Sequence, residues 1–204
     1  MPGEDTELSR LDADYTWPGV DDRELEVVCS RIARYLTRAG TQVVAFVPVD
    51  SRITLGGTAG ATLSPLLFHV ANALTRFVAG EVAFIGAQRT WSPPAERSGG
   101  EPAAPRSRIR EIRPRVLEIV PSVERDGVDP ADALETALAT LRRNVAFVLV
   151  DMGGYADPGV VPSGIGLVDG VVVVASRRRA RRSAVARLVE QLPDGKSLGA
   201  ILAG

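Results

Sequence analysis

The sequence predicts an α/β domain: three layers, with a mostly parallel sheet in the middle and helices on both faces. Three observations lead there. Four runs, QVVAFVPV (42–49), EVAFIGA (81–87), VAFVLVDMGG (145–154) and GVVVVAS (170–176), are nearly unbroken apolar stretches rich in valine, the pattern of strands buried on both faces. Between them lie stretches whose apolar residues recur at helical spacing, and such alternation builds a parallel sheet. The first apolar run is followed closely by a glycine-rich loop and then a helical stretch, which makes a strand, loop, helix, strand unit.

The elements follow in order. Residues 1–21 are acidic and carry turn formers, which predicts a mobile lead ahead of a single domain over 22–204. DDRELEVVCSRIARYL places apolar residues at 25, 27, 28, 32, 35 and 36 behind an acidic start, so a helix over 22–38 is expected, ended by Ala39-Gly40. After the strand at 42–49 and the glycine loop, Leu63, Leu66, Leu67, Val70, Leu74, Phe77 and Val78 predict a helix reaching to Gly80, with Ser64 as cap and Pro65 in its first turn. The stretch 89–108 holds four prolines and several arginines and predicts an exposed loop. RVLEIVPS (115–122) is a third strand and 129–144 a helix, with Asp129 as cap and Pro130 at its first position. A helix over 181–192 and a short strand over 197–204 close the chain, with no internal repeat and no second domain.

Composition narrows the chemistry. With 204 residues, 45% of them hydrophobic, the chain can bury a sizeable core. Its longest apolar runs fall short of the roughly 20 residues that cross a bilayer, and its acidic start is not a signal peptide, so a cytoplasmic protein without a transmembrane segment is expected. Cys29 is the only cysteine and His69 the only histidine, which excludes disulfides within the chain and metal sites built on several Cys or His; a buried thiol and a structural histidine are expected. Of 24 basic residues only Lys196 is a lysine, so any lysine-dependent chemistry within the chain has one candidate.

The stretch TLGGTAGATLSP (54–65) has the glycines and threonine of a phosphate-binding loop. A strand then ends in Asp151, within FVLVDMGG, and Asp169-Gly170 precedes the next strand. Taken with VDGVVVVASRRRARRSAVARLVEQL and the terminal GAILAG, this order resembles the MinD/ParA class of P-loop ATPases over about residues 24–204. Within that class it is most similar to the cytoplasmic bacterial tyrosine kinases of polysaccharide export. The resemblance implies a P-loop NTPase-like fold, and it matches Asp151 to the residue that positions Mg²⁺ through water.

The departures decide the functional reading. A working loop reads GxxxxGK[ST], where backbone N–H groups cradle phosphates, the lysine reaches the β and γ oxygens and the hydroxyl holds Mg²⁺. Here Gly60-Ala61-Thr62 fills the matching place, with alanine for lysine, and the motif's first glycine falls on Leu55. The resemblance also implies an Asp-x-Asp pair after the second strand, where this sequence has Gly86 and Gln88. Lys196 lies in a Gly-Lys-Ser triplet, but Glu190 stands where the motif's first glycine belongs, and the triplet lies between a helix and a strand; it is expected to be a solvated turn. Without lysine and paired acids, phosphoryl transfer lacks the charges it rests on. No catalytic residue and no metal ligand are therefore assigned.

Further comparisons concern assembly. The family's kinases end in a tyrosine-rich tail, whereas the tyrosines here are Tyr15, Tyr35 and Tyr155. Their first helix carries a Glu-x-x-Arg-x-x-Arg signature of ring assembly; Arg31 and Arg34 match its basic half, with Val28 in place of the glutamate, so the resemblance allows a homo-oligomer on this remnant. RRRARR (177–182) suits a partner's carboxylates, acidic lipid or nucleic acid, or is a solvated loop and helix start. The preferred expectation is a non-catalytic P-loop-like protein with no cofactor. It would act as a regulatory or assembly partner of a membrane polysaccharide co-polymerase or of an active paralogue, held at the inner membrane through that partner. The alternative is an active ATPase or tyrosine kinase whose unusual loop binds ATP and Mg²⁺ through Gly56, Gly57, Gly60, Thr62 and Asp151. A DNA- or membrane-binding protein of the same class is a third reading, and the net charge of −1 does not favour nucleic acid.

Overall fold

The valine-rich runs become the centre of a sheet. The computed structural model describes residues 22–49, 63–86, 108–120, 130–153, 161–177 and 180–203. In chain order the elements are α1 (Asp22–Arg38), β1 (Val43–Pro48), α2 (Ser64–Leu74), β2 (Val82–Ile85), β3 (Arg108–Arg113), β4 (Val116–Val120), α3 (Pro130–Asn144), β5 (Phe147–Asp151), a 3-10 turn (Ile165–Leu167), β6 (Gly170–Ser176), α4 (Arg182–Gln191) and β7 (Ser197–Ala203). The strands form one seven-stranded sheet in the order β3-β4-β2-β5-β1-β6-β7. All neighbours pair parallel except β3 with β4.

Each strand sorts its side chains by period two onto two apolar layers. Val44, Phe46, Phe84, Leu149 and Val174 face α1 and α2, where Cys29, Leu36, Leu67 and Val70 meet them. Val43, Ala45, Ile85, Val150 and Val173 face α3 and α4, against Leu134, Leu138 and Leu188. Full burial of side chains such as Phe46 and Phe84 contributes about 1.5–3 kcal/mol each. The crossover through α2 moves toward one sheet edge on one face, while those through α3 and α4 move the other way on the other face, so both keep the same hand. Among the described residues no helix is long and apolar enough to cross a membrane.

Four local expectations are corrected. The loop expected over 89–108 lies outside the described residues except for its last residue, Arg108, which opens β3, an antiparallel edge strand that the sequence pattern leaves unassigned beyond that point. Pro114 and then Arg115 (φ 69°) form its turn into β4, with the proline and the positive φ at the places a type II turn requires. Arg115 bears that unfavourable backbone because its guanidinium donates to the carbonyls of Thr75, Val78 and Gly80. Those carbonyls lie just past α2, which ends at Leu74 rather than at Gly80: Phe77 and Val78 belong to a coil that Arg115 holds. Ser64 is the first residue of α2 and not its cap, which is Leu63. Lys196 is no solvated turn, since its ammonium donates to the carbonyls of Ile165 (3.2 Å), Gly166 (2.7 Å) and Val168 (2.8 Å) and closes the end of the 3-10 turn.

Candidate functional site

Parallel strands gather their carboxyl ends on one side of the sheet, where open α/β folds bind ligands. Asp151 closes β5 on that side, fully buried. Register places it beside Phe46 of β1, and one step past the Ile85–Val150 pair, so that Gly86 stands next to it on the β2 side. The polar cluster is built around these two residues. The Leu63 N–H donates to Asp151 Oδ2 at 2.6 Å, Ser64 Oγ stands 3.5 Å from the same oxygen, and the Gly153 N–H donates to Oδ1 at 2.8 Å. A carboxylate at the end of a strand thus binds the backbone at the start of α2, 88 residues earlier in the chain.

On the far side of Gly86 is a carboxylate that sequence reasoning missed. Glu118, inside RVLEIV, is 9% exposed on the face shared with α2. Its Oε2 accepts from Arg110 Nε (3.1 Å) and Nη2 (2.7 Å), a forked pair on neighbouring strands. A Cβ built on Gly86 would meet Ser64 Oγ at 3.3 Å and Glu118 Oε1 at 3.9 Å. The glycine therefore leaves a narrow gap between two carboxyl-bearing strands. A glutamate flanked by apolar residues reads as half of an alternating strand, and only its pairing with the unexpected β3 gives it a partner.

Gly56, Gly57, Gly60 and Thr62, with Ala61 and Gln88, lie outside the described residues, and Asp151 alone of the candidate binding residues is placed. Among the described residues the side chains around Asp151 offer little to a magnesium ion. Asp151 commits both oxygens to backbone N–H groups, Glu118 is forked to Arg110, and Gly86 supplies no side chain. Among the described residues no three His, Cys, Asp or Glu side chains stand together as a metal set. Lys196 precedes β7, at the amino ends of the strands, and Asp151 ends β5, so the only lysine is at the opposite end of the sheet.

That opposite end holds its own polar cluster, and it is structural. Asp169, just before β6, accepts from the backbone N–H groups of Gln42 (3.0 Å) and Val43 (2.8 Å) and pairs with Arg142 (2.8 Å), which also donates to the Leu167 carbonyl. Burial raises the Asp169 pKa, but the hydrogen bonds from Arg142, Val43 and Gln42 and the arginine's charge outweigh it and hold the carboxyl below its ordinary value. Asp169 thereby binds the starts of β1 and β6 to the end of α3.

Within the arginine block, Arg177 and Arg181 are exposed between β6 and α4 and Arg182 is exposed at the start of α4, while Arg178 and Arg179 lie outside the described residues. Arg181 is the cap of α4 in extended backbone, with no side-chain cap bond. Arg31 and Arg34 are exposed on α1, one and two turns after Val28, which is 40% exposed. Cys29 and His69 behave as expected of core neighbours: the thiol is buried, and the imidazole lies edge-on to Phe68 at 5.2 Å between centroids.

No protein-family model and no curated protein matches the chain. Solved structures do. The kinase domain of VpsO is similar with a TM-score of 0.60 at 15% identity, over 89% of this chain and 97% of that one. The chimerical protein CapA2B2 is similar with a TM-score of 0.56 at 14% identity, over 85% of this chain and 82% of that one. At such identities the likeness establishes the shared α/β fold.

Proposed function

We propose that this chain is a non-catalytic, P-loop-like relative of the bacterial tyrosine kinases of polysaccharide export. In this reading it is a cytoplasmic regulatory or assembly partner, engaging a membrane co-polymerase or a competent paralogue and reaching the inner membrane only through it. The observation that carries the reading is the state of Asp151: the acidic residue matched to metal positioning spends both oxygens on the chain's own backbone, beside a glycine where an acid would be needed. The absence of a lysine in residues 54–65 supports it. The likeness to the VpsO kinase domain supports only the kinase-like part of the reading, because a fold does not fix its chemistry.

Isothermal titration with ATP and Mg²⁺ tests the reading, with little or no heat of binding expected. Micromolar affinity would overturn it and favour the active alternative. The surface proposed for the partner is the arginine block, of which Arg177, Arg181 and Arg182 are exposed, because guanidinium groups suit carboxylates in forked pairs. Replacing Arg177, Arg178, Arg179, Arg181 and Arg182 by serine is expected to weaken capture of a candidate co-polymerase or paralogue and to leave the thermal midpoint nearly unchanged. Retained capture would remove the block from the interface.

A further inference from the structure

The start of a helix gathers unpaired backbone N–H groups and the positive end of the helix dipole, and it attracts an anion. In α2, a helix of 11 residues, the cap donor of this end is engaged from inside the chain. The Leu63 N–H at the cap donates to Asp151, and Pro65, in the first turn, has no N–H to offer a ligand. The Gly153 N–H holds the second carboxylate oxygen and fixes its orientation. No lysine occurs in residues 54–65 to draw a second anion in, and the nearby Arg110 guanidinium is already engaged by Glu118.

We infer that Asp151 is the built-in anion of this helix end: its buried carboxylate supplies the negative charge that a phosphate supplies elsewhere, and so locks β5 to the start of α2 without any ligand. A phosphate group arriving there would compete with a carboxylate for the same donor, and two anions against one helix end repel each other. This inference is independent of the partner proposed above.

The test uses the whole chain and inorganic phosphate as the probe. By NMR, the Leu63 amide of the wild type is expected to exchange slowly with D2O in phosphate-free buffer. Adding low-millimolar sodium phosphate at constant ionic strength, below the range in which its exclusion from protein surfaces stabilises any fold, is expected to change neither that protection nor the thermal midpoint. Asp151→Asn keeps the shape and removes the charge; it is expected to lower the midpoint and to make the midpoint rise with phosphate. The inference is overturned if phosphate protects Leu63 or stabilises the wild type, or if Asp151→Asn changes neither the midpoint nor its phosphate response. Should that variant not fold, the wild-type measurement decides alone. Failure of the functional reading looks different: ATP would bind while the Leu63 protection stayed independent of phosphate.

Discussion

Gly170 of β6 and Leu198 of β7 meet with no room for a side chain between them: a Cβ on the glycine would lie 2.4 Å from Leu198 Cδ1 and 2.8 Å from Cγ. The close approach lets Leu198 cover the apolar layer beneath α1 and α2. Gly170→Ala is expected to cost about 1–3 kcal/mol, the range for overpacking a core, and Leu198→Ala in the same chain should recover part of it. Urea unfolding of the two single variants and the double variant measures this. Additive losses would show that the two side chains do not compete for space.

The cluster at the amino ends of the strands predicts a pH dependence. Asp169 is held below its ordinary pKa in the folded protein, so its contribution to stability is complete above the unfolded value of about 4 and is lost as pH falls through the lower folded value. Below about pH 4 the unfolded chain takes up the proton first, and stability falls with acidity. Asp169→Asn is expected to flatten that acid limb and to lower stability at neutral pH. An unchanged acid limb in denaturant titrations would contradict the role given to Arg142 and the two backbone donors.

Burial pushes the Cys29 thiol up to about 12. At pH 8 the folded protein is therefore expected to react with a chromogenic disulfide far more slowly than the urea-unfolded chain, because only the thiolate attacks. Equal rates would mean that α1 leaves the core readily.

The gap at Gly86 predicts the outcome of restoring an acid there. Gly86→Asp sets a carboxylate beside Ser64 and the Glu118 carboxyl, so destabilisation is expected, partly relieved by Glu118→Gln. A stable Gly86→Asp variant that gained metal affinity would show that this cluster accepts a cation.

Ala61→Lys, restoring the loop's missing cation alone, is expected to leave phosphate release at the wild-type level. The loop spacing and the acid pair remain unrepaired, and phosphoryl transfer needs all of these charges in position. Release above wild type in a malachite-green assay would count against the non-catalytic reading.

The sequence made the central strands legible because burial on both faces leaves β1, β5 and β6 no choice but continuous apolar residues. The helix α1 followed from its periodicity and α3 from its cap and first-turn proline, each to within a residue. β3 was hidden for a physical reason: RIREIR gives few residues to the core, and its conformation depends on pairing with β4 through a turn that Arg115 stabilises from outside. The site was half legible. Asp151 stood out at the end of an apolar strand, but its bond to Leu63 spans 88 residues, and Ser64 looked like a cap because local pattern cannot show a carboxylate arriving from another strand. Glu118 is overlooked in the sequence and Lys196 reads there as a solvated turn for one reason: the role of each comes from groups on another segment.

The two margins of the sheet protect the protein from unwanted growth in different ways. β3 presents Arg110 and Glu111 along its length, and charge on an outer strand discourages the stacking of further strands that leads to fibres. β7 carries no charged residue, and Leu202 is 65% exposed. Its defence is in the backbone: Gly199 sits at φ 116°, and the register slips between Val171 and Val172, so β7 is not a straight template. Precipitation under stress should therefore start at this margin, where one glycine rather than a row of charges keeps neighbouring molecules apart.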